Sequence, residues 1–243
     1  MLRTVHKLLA LAAAVVVVGQ PSATQAEDGA SLSAVLPKLA ATSGRFEALI
    51  KKANFAAEGY IEEVDSDGSG SDRKEGAVRV RNDGKKSHVD VIRYSESGED
   101  KTAEAREKAR DDEKEEKDPD DEVHMPFLTS EQPKYSFRVR ATDKSDPARV
   151  RIEFHPKHPK KTLFVGSAWV DTRTGEVLTM GISPSKVGTF VDYLNVTITF
   201  GEKIANVPAI SKIAFEGSGG FLFFHKKFRG SAKLWQYSVP AGS

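Results

Sequence analysis

Asp65-Ser66-Asp67-Gly68-Ser69-Gly70-Ser71-Asp72 has the most metal-like spacing in the chain, since oxygens at alternate positions around a glycine can surround Ca²⁺. Its twelfth position is Gly76, where a calcium loop places a bidentate glutamate, so the stretch reads as a hairpin loop. His155 and His158 are three residues apart, but the intervening prolines prevent a regular helix and no third ligand lies nearby. They read as part of a basic surface turn. Ser183-Pro184-Ser185-Lys186 matches the Ser-x-x-Lys spacing in which lysine accepts the serine proton, yet the helix start and companion motifs of that chemistry are missing. Ser218 lies in Glu-Gly-Ser-Gly-Gly, not in a Gly-x-Ser-x-Gly elbow, and reads as a bulge or a hairpin between strands. His88, His124 and His225 lack a partner constellation and read as sheet or loop residues. Asn195-Val196-Thr197 is formally a glycosylation site but falls inside an expected strand. The expectation is a protein that is not an enzyme, with no catalytic residue, metal ligand or cofactor.

Composition narrows the alternatives. Of the 243 residues, 39% are hydrophobic and the mean hydropathy is −0.42, enough for a packed core and too little for membrane spans. Lys and Arg number 36 against 35 Asp and Glu, so no overall field recruits nucleic acid. The absence of cysteine excludes disulfide scaffolds, thiolate metal sites and a lipid-bearing N-terminal Cys.

Residues 1–26 read as a secretory signal: Arg3, His6 and Lys7 precede an apolar run over 8–18, and Ala-Thr-Gln-Ala stands before Glu27. That run is shorter than the roughly 20 residues of a spanning helix. Cleavage near Ala26 gives a soluble periplasmic protein, or a secreted one as second choice, with a single domain over 27–243. From Glu96 to Glu122 there are 14 acidic and 6 basic residues. An acidic run of this density can fold back over a basic body or meet a protein partner.

The elements that position these residues are legible from periodicity. Leu32, Val35, Leu36 and Leu39, followed by Phe46, Leu49, Ile50 and Ala53, predict an amphipathic helix over 31–53, kinked or divided at Pro37 and Ser43-Gly44. Eleven short alternating segments then predict strands near 55–64, 75–82, 86–95, 134–142, 148–155, 163–171, 175–182, 189–200, 210–217, 220–228 and 231–239. Asn82-Asp83-Gly84, Thr172-Arg173-Thr174-Gly175 and Arg229-Gly230 supply hairpin turns, which implies an antiparallel meander. Val78 and Val80, Val89 and Val91, Phe137 and Val139, and Ile152 and Phe154 alternate with Arg79, Arg81, Arg138 and Arg151, so one sheet face is apolar and the other charged. Leu194, Val196 and Ile198 continue the apolar face. A long sheet with one dry face must curl around something. Residues 101–117 read as a solvated helix with Glu104–Lys108 and Glu113–Lys117 pairs, and His124-Met125-Pro126-Phe127-Leu128 reads as the chain re-docking on the body.

This layout resembles the periplasmic LolA/LolB-like outer-membrane lipoprotein-sorting family, most visibly in the Val165-Gly166-Ser167-Ala168-Trp169-Val170-Asp171-Thr172-Arg173-Thr174-Gly175-Glu176-Val177 stretch and the strand series from Phe190 to Tyr237. The resemblance covers about 31–239. It implies an α+β fold: a curved, unclosed antiparallel β half-barrel of about eleven strands, with an N-terminal helix and a helical excursion after strand three covering the concave face. In that family the apolar concave face holds acyl chains. Carried over, Val78, Val80, Phe137, Val139, Ile152, Phe154, Leu194, Val196 and Ile198 would line it. Phe221 and Phe223, with Trp235 and Tyr237, read either as core packing or as a further ligand wall. The implied partners are a lipid or lipoprotein acyl chain and, through 96–122, a periplasmic or membrane-associated protein, with no nucleic acid. The alternative is an interaction or sensor module that binds no lipid. Runs at 157–161 and 226–229 read as a basic rim for lipid headgroups or as solvated strand ends.

Overall fold

The computed structural model describes residues 31–83, 86–113, 123–188, 190–221 and 224–240. The expected signal sequence over 1–26, the expected turn residue Gly84, residues 114–122 and Phe223 lie outside them.

The apolar three- and four-residue spacing forms one helix, α1 (Leu32–Ile50), with Pro37 inside it. The expected division does not occur. Pro37 sits in the second turn, where its missing N–H removes one early bond, and burial of Val35, Leu39 and Phe46 on both sides of it holds the helix together. The alternating segments form β1 (Asn54–Val64), β2 (Gly70–Asn82), β3 (Ser87–Glu96), the two-residue β4 (Glu99–Asp100), β5 (Tyr135–Thr142), β6 (Arg149–Pro156), β7 (Phe164–Asp171), β8 (Glu176–Pro184), β9 (Val191–Ile204), β10 (Val207–Phe221) and β11 (Phe224–Ser238). They make a single antiparallel sheet in the order β4-β3-β2-β1-β11-β10-β9-β8-β7-β6-β5. The sheet is unclosed, an α+β half-barrel with α1 on its concave side. The last strand returns to pair with the first, Gly59 opposite Ala232. Because β4 and β5 are opposite edges, the chain between them must travel from one edge to the other.

Two expected features of the C-terminal region are corrected. The three segments 210–217, 220–228 and 231–239 are two 15-residue strands, and the eleventh strand is β4. Arg229-Gly230 makes no turn. Gly230 lies mid-strand opposite Phe215, and Gly217 lies opposite Phe228. A Cβ at Gly230 would run into the Phe215 ring, and one at Gly217 into Phe228. Each glycine makes room for the aromatic ring across from it, so these glycines mark close approach and not chain reversal. Around Ser218 the β9–β10 register shifts, so the bulge reading holds there and the hairpin reading does not.

The excursion begins with α2 (Thr102–Asp112), which lies along β3 and meets its outward backbone groups. Tyr94 N–H donates to Thr102 Oγ1 (2.9 Å), Arg106 Nε to the Val91 carbonyl (2.8 Å), and Val89 N–H to Glu113 Oε1 (2.9 Å). A helix otherwise rich in charge thereby seals an edge strand that would be left with open donors and acceptors. The re-entering segment then docks as anticipated. Phe127 is fully buried, stacked on Phe137 at 5.8 Å and edge-on to Phe154 at 5.6 Å.

Replacing Gly230 by valine tests the mid-strand assignment. Urea unfolding should show a loss of about 1–3 kcal/mol from overpacking against Phe215, whereas a residue in an exposed turn would tolerate the change.

Candidate functional site: the concave face and its cover

Side chains of one parity along each strand meet inside the curve. Val78, Phe137, Val139, Ile152, Phe154, Leu194, Val196 and Ile198 belong to one apolar cluster; Ile152, Phe154 and Val196 are fully buried and the others half-buried. Val80 is also buried, paired across the sheet with Phe55 and Val89. Phe221 ends β10 opposite Phe224, while Phe223 falls outside the described residues. Tyr237 packs into the core, donating to the Ile210 carbonyl at 2.8 Å beside Phe55. The sequence reading missed Phe215, Phe228 and Leu234, which pack in the same cluster as the anticipated helix residues Val35 and Leu39. The Phe–Gly cross-strand pairs were the available signal. They are hidden when β10 and β11 are divided at their glycines.

The cover is α1, and it rests on the turn between β7 and β8. Lys38 Nζ donates to the carbonyls of Thr172 (3.0 Å) and Arg173 (3.4 Å), and Thr42 Oγ1 donates to that of Thr174 (3.4 Å). Gly175, at φ +70°, is so close to the helix that a Cβ there would lie 2.5 Å from the Lys38 carbonyl carbon. The turn is cast by Asp171, whose Oδ1 accepts the Arg173 N–H (2.8 Å) and whose carbonyl accepts that of Gly175 (2.8 Å). Hydrogen bonding from the Arg173 guanidinium holds the nearly buried Asp171 carboxyl down at about 2, against the opposing effect of burial.

A second set of bonds ties α1 to the re-entering segment. Glu47 accepts the Met125 N–H (2.8 Å) and faces His124 Nδ1 (3.1 Å), while Gln132 Nε2 donates to the carbonyls of Leu36 (3.2 Å) and Phe127 (2.8 Å). Packing beneath the second half of α1 is imperfect. Ser43 Oγ is buried with no hydrogen-bond partner, and a void of about 10 Å³ borders Thr42, Ser43, Phe46, Met125, Val177, Phe200 and Pro208. That is room for a single water, so the face as arranged is shut by the protein's own side chains.

The other candidate chemistry resolves into structural ties. Asp65–Ser69 is a self-satisfied turn, with Ser69 N–H donating to Asp67 Oδ1 (2.8 Å) and Gly68 at φ +85°. Ser183 donates to Asn195 (3.0 Å), and His155 and His158 are exposed. Ser218 and His225, unrelated in the sequence reading, both meet Asp192 Oδ2, at 2.7 and 2.8 Å. The serine proton is thus directed to the carboxylate and not to the imidazole, which joins β9, β10 and β11 without activating a nucleophile. These bonds, Ser218 first, lower the Asp192 pKa. His88 lies between Asp83 (3.1 Å) and Glu113 (3.3 Å), which raise its pKa, Asp83 most. Arg79, Arg81 and Arg138 are exposed and Arg151 half-buried. Among the described residues, no group of three His, Asp or Glu is placed to hold a metal ion, and no helix is long and apolar enough to cross a membrane.

No family model matches the chain, and no curated protein matches it. Solved structures similar to it include a DUF1329 family protein from Desulfovibrio piger, at 10% identity over 86% of this chain and 94% of that one, with TM-score 0.40. A LolA superfamily protein from Nitrosomonas europaea matches at 7% identity over 86% of this chain and 94% of that one, with TM-score 0.42. The Pseudomonas aeruginosa MucA/MucB complex contains a chain matched at 9% identity over 84% of this chain and 94% of that one, with TM-score 0.27. The observed sheet order, with α1 inside the curve, is the layout that the sequence resemblance implies.

The turn beneath α1 should report on pH. Since the Asp171 value of about 2 lies below its ordinary 3.8, its contribution is present above about pH 4 and disappears as pH falls through 2. Asp171→Asn should cost about 1–2 kcal/mol at neutral pH, reduced by the exposure of Arg173, and the difference from wild type in urea midpoint should vanish near pH 2.

Proposed function

We propose that this protein is an exported binder or carrier of a lipophilic molecule, a lipid or lipoprotein acyl chain, that takes the place of α1 on the concave face. One observation carries the reading: the apolar face of an open sheet is covered by a single helix, attached through its Lys38, Thr42 and Glu47 contacts and seated over a void and an unpartnered serine. Val78, Val80, Phe137, Val139, Ile152, Phe154, Leu194, Val196 and Ile198 would be the lining once the helix moves. Export into the periplasm rests on reading residues 1–26 as a leader.

The second reading, an interaction or sensor module without lipid, is favoured by α2. Its Thr102, Arg106 and Glu113 contacts hold it to β3 while Glu104, Glu107 and Asp111 face outward, as a docking surface for a basic partner would. Charge reversal at Glu104 and Glu107 should release a protein partner on this reading and leave lipid content unchanged on the first.

Native mass spectrometry of the mature protein purified from periplasm, followed by organic extraction, should find a bound lipid. Gly175→Val, which adds a side chain at positive φ against the Lys38 backbone, should loosen α1 and raise the affinity for a fluorescent fatty acid about tenfold, the effect of about 1.4 kcal/mol removed from the closed state. A clean apo mass together with no probe binding by wild type or Gly175→Val rejects the carrier.

A further inference from the structure

The exposed large hydrophobic side chains of the described residues are unevenly placed. All but Ile92 fall between Val187 and Tyr193, with Val187 40%, Phe190 59%, Val191 36% and Tyr193 36% exposed. This stretch leads from β8 into β9 at one end of the sheet. Single exposed apolar residues are ordinary on a protein surface; four within seven positions, one of them a phenylalanine more than half exposed, are not.

The fold brings lysine-bearing segments from three parts of the chain next to this strip. On one side the 157–163 loop is tied to the residue before Lys186: Lys160 N–H donates to Ser185 Oγ (3.0 Å), Ser185 Oγ to the Lys160 carbonyl (2.9 Å), and Ser185 N–H to the Leu163 carbonyl (2.8 Å). Lys160, Lys161 and Lys186 are exposed there. On the other side Phe190 O accepts the Gly220 N–H (3.0 Å), and Asp192 faces His225. That brings exposed Lys226 and Lys227 alongside. The only carboxylate within 186–193, Asp192, is engaged by Ser218 and His225, and Lys226 is paired with Glu63. Exposed Lys160, Lys161, Lys186 and Lys227 thus outnumber the carboxylates that act on the strip, Glu216 and Asp192 beside Tyr193, although the 157–161 and 226–229 runs are about 65 residues apart in sequence. The acidic 65–72 hairpin borders only the β11 side, next to Lys227 opposite Val64.

Apolar and aromatic side chains in the middle with lysines around them are the composition of a surface that enters the headgroup layer of a bilayer. The apolar groups reach the acyl boundary while the ammonium groups meet lipid phosphates. We infer that this end of the sheet, Val187, Phe190, Val191 and Tyr193 within the ring of Lys160, Lys161, Lys186 and Lys227, seats reversibly on an anionic lipid surface. The acidic 65–72 hairpin is repelled by the same surface, so the molecule sits tilted with the β7–β9 side down. This surface does not depend on the concave face holding a ligand, and the two fail separately.

Flotation of the mature protein with vesicles of phosphatidylglycerol and phosphatidylethanolamine tests it. Wild type should float with these vesicles and much less with phosphatidylcholine vesicles, and added salt should release it. Phe190→Ser combined with Val187→Ser, and separately Lys160→Glu with Lys161→Glu and Lys186→Glu, should each lower binding about tenfold or more. All five positions are exposed, so the urea midpoint and fatty-acid probe binding should stay as in wild type. Phe190→Trp should show blue-shifted emission on adding the anionic vesicles. The inference is overturned if wild type does not float, if the variants float as well as wild type, or if a cross-linker at position 190 captures an acidic protein while vesicles capture nothing.

Discussion

An open sheet with one dry face cannot stand alone in water, and everything else in this molecule answers that constraint. Ile152, Phe154, Val170 and Val196 are almost completely withdrawn from solvent on a sheet whose two edges never meet. Burial of each such side chain is worth about 1.5–3 kcal/mol, so the face must be covered at all times by something. Here it is covered by α1 and by Phe127, and the functional question becomes what can replace them.

The attachments of that cover share one chemical device. Glu47 accepts the Met125 N–H and meets the adjoining His124, and Glu113 accepts the Val89 N–H and meets the adjoining His88. In each case one carboxylate binds a backbone donor and a neighbouring imidazole where the excursion leaves or rejoins the sheet. Asp171 does comparable work for the β7–β8 turn with Arg173. Charge-assisted bonds of this sort are strong enough to position a segment and local enough to be broken without unfolding the sheet beneath.

The long C-terminal strands obey a steric version of the same economy of space. Phe215 lies across Gly230 and Phe228 across Gly217, so both rings lie over bare backbone and the strands run on without interruption. The length of β9 to β11 in turn carries the Val187–Tyr193 connection and its lysines to one end of the sheet, away from the acidic α2 at the β3 edge. Charges that cancel in the composition are therefore separated in space, and each surface has its own electrostatic character.

Periodicity alone was sufficient for an antiparallel sheet with one buried face, because period-2 alternation in Val150–Phe154 or Leu194–Phe200 reflects such a sheet whatever its partners are, and the unclosed half-barrel came from the family resemblance. The same signal named Phe137, Val139, Ile152, Phe154, Leu194, Val196 and Ile198, which pack in one apolar cluster, and the abrupt apolar return at His124–Leu128 marked where the chain re-docks. It misplaced the β10–β11 boundaries, since a glycine serving a ring across the sheet is written identically to a glycine serving a turn. Local sequence also could not reveal that β11 returns to β1, that α2 lies along an edge, or that the 157–163 loop is tied to Ser185 while Gly220 meets Phe190. Those are pairings between residues far apart in the chain, decided by which hydrogen bonds and apolar surfaces remain open once the sheet has formed.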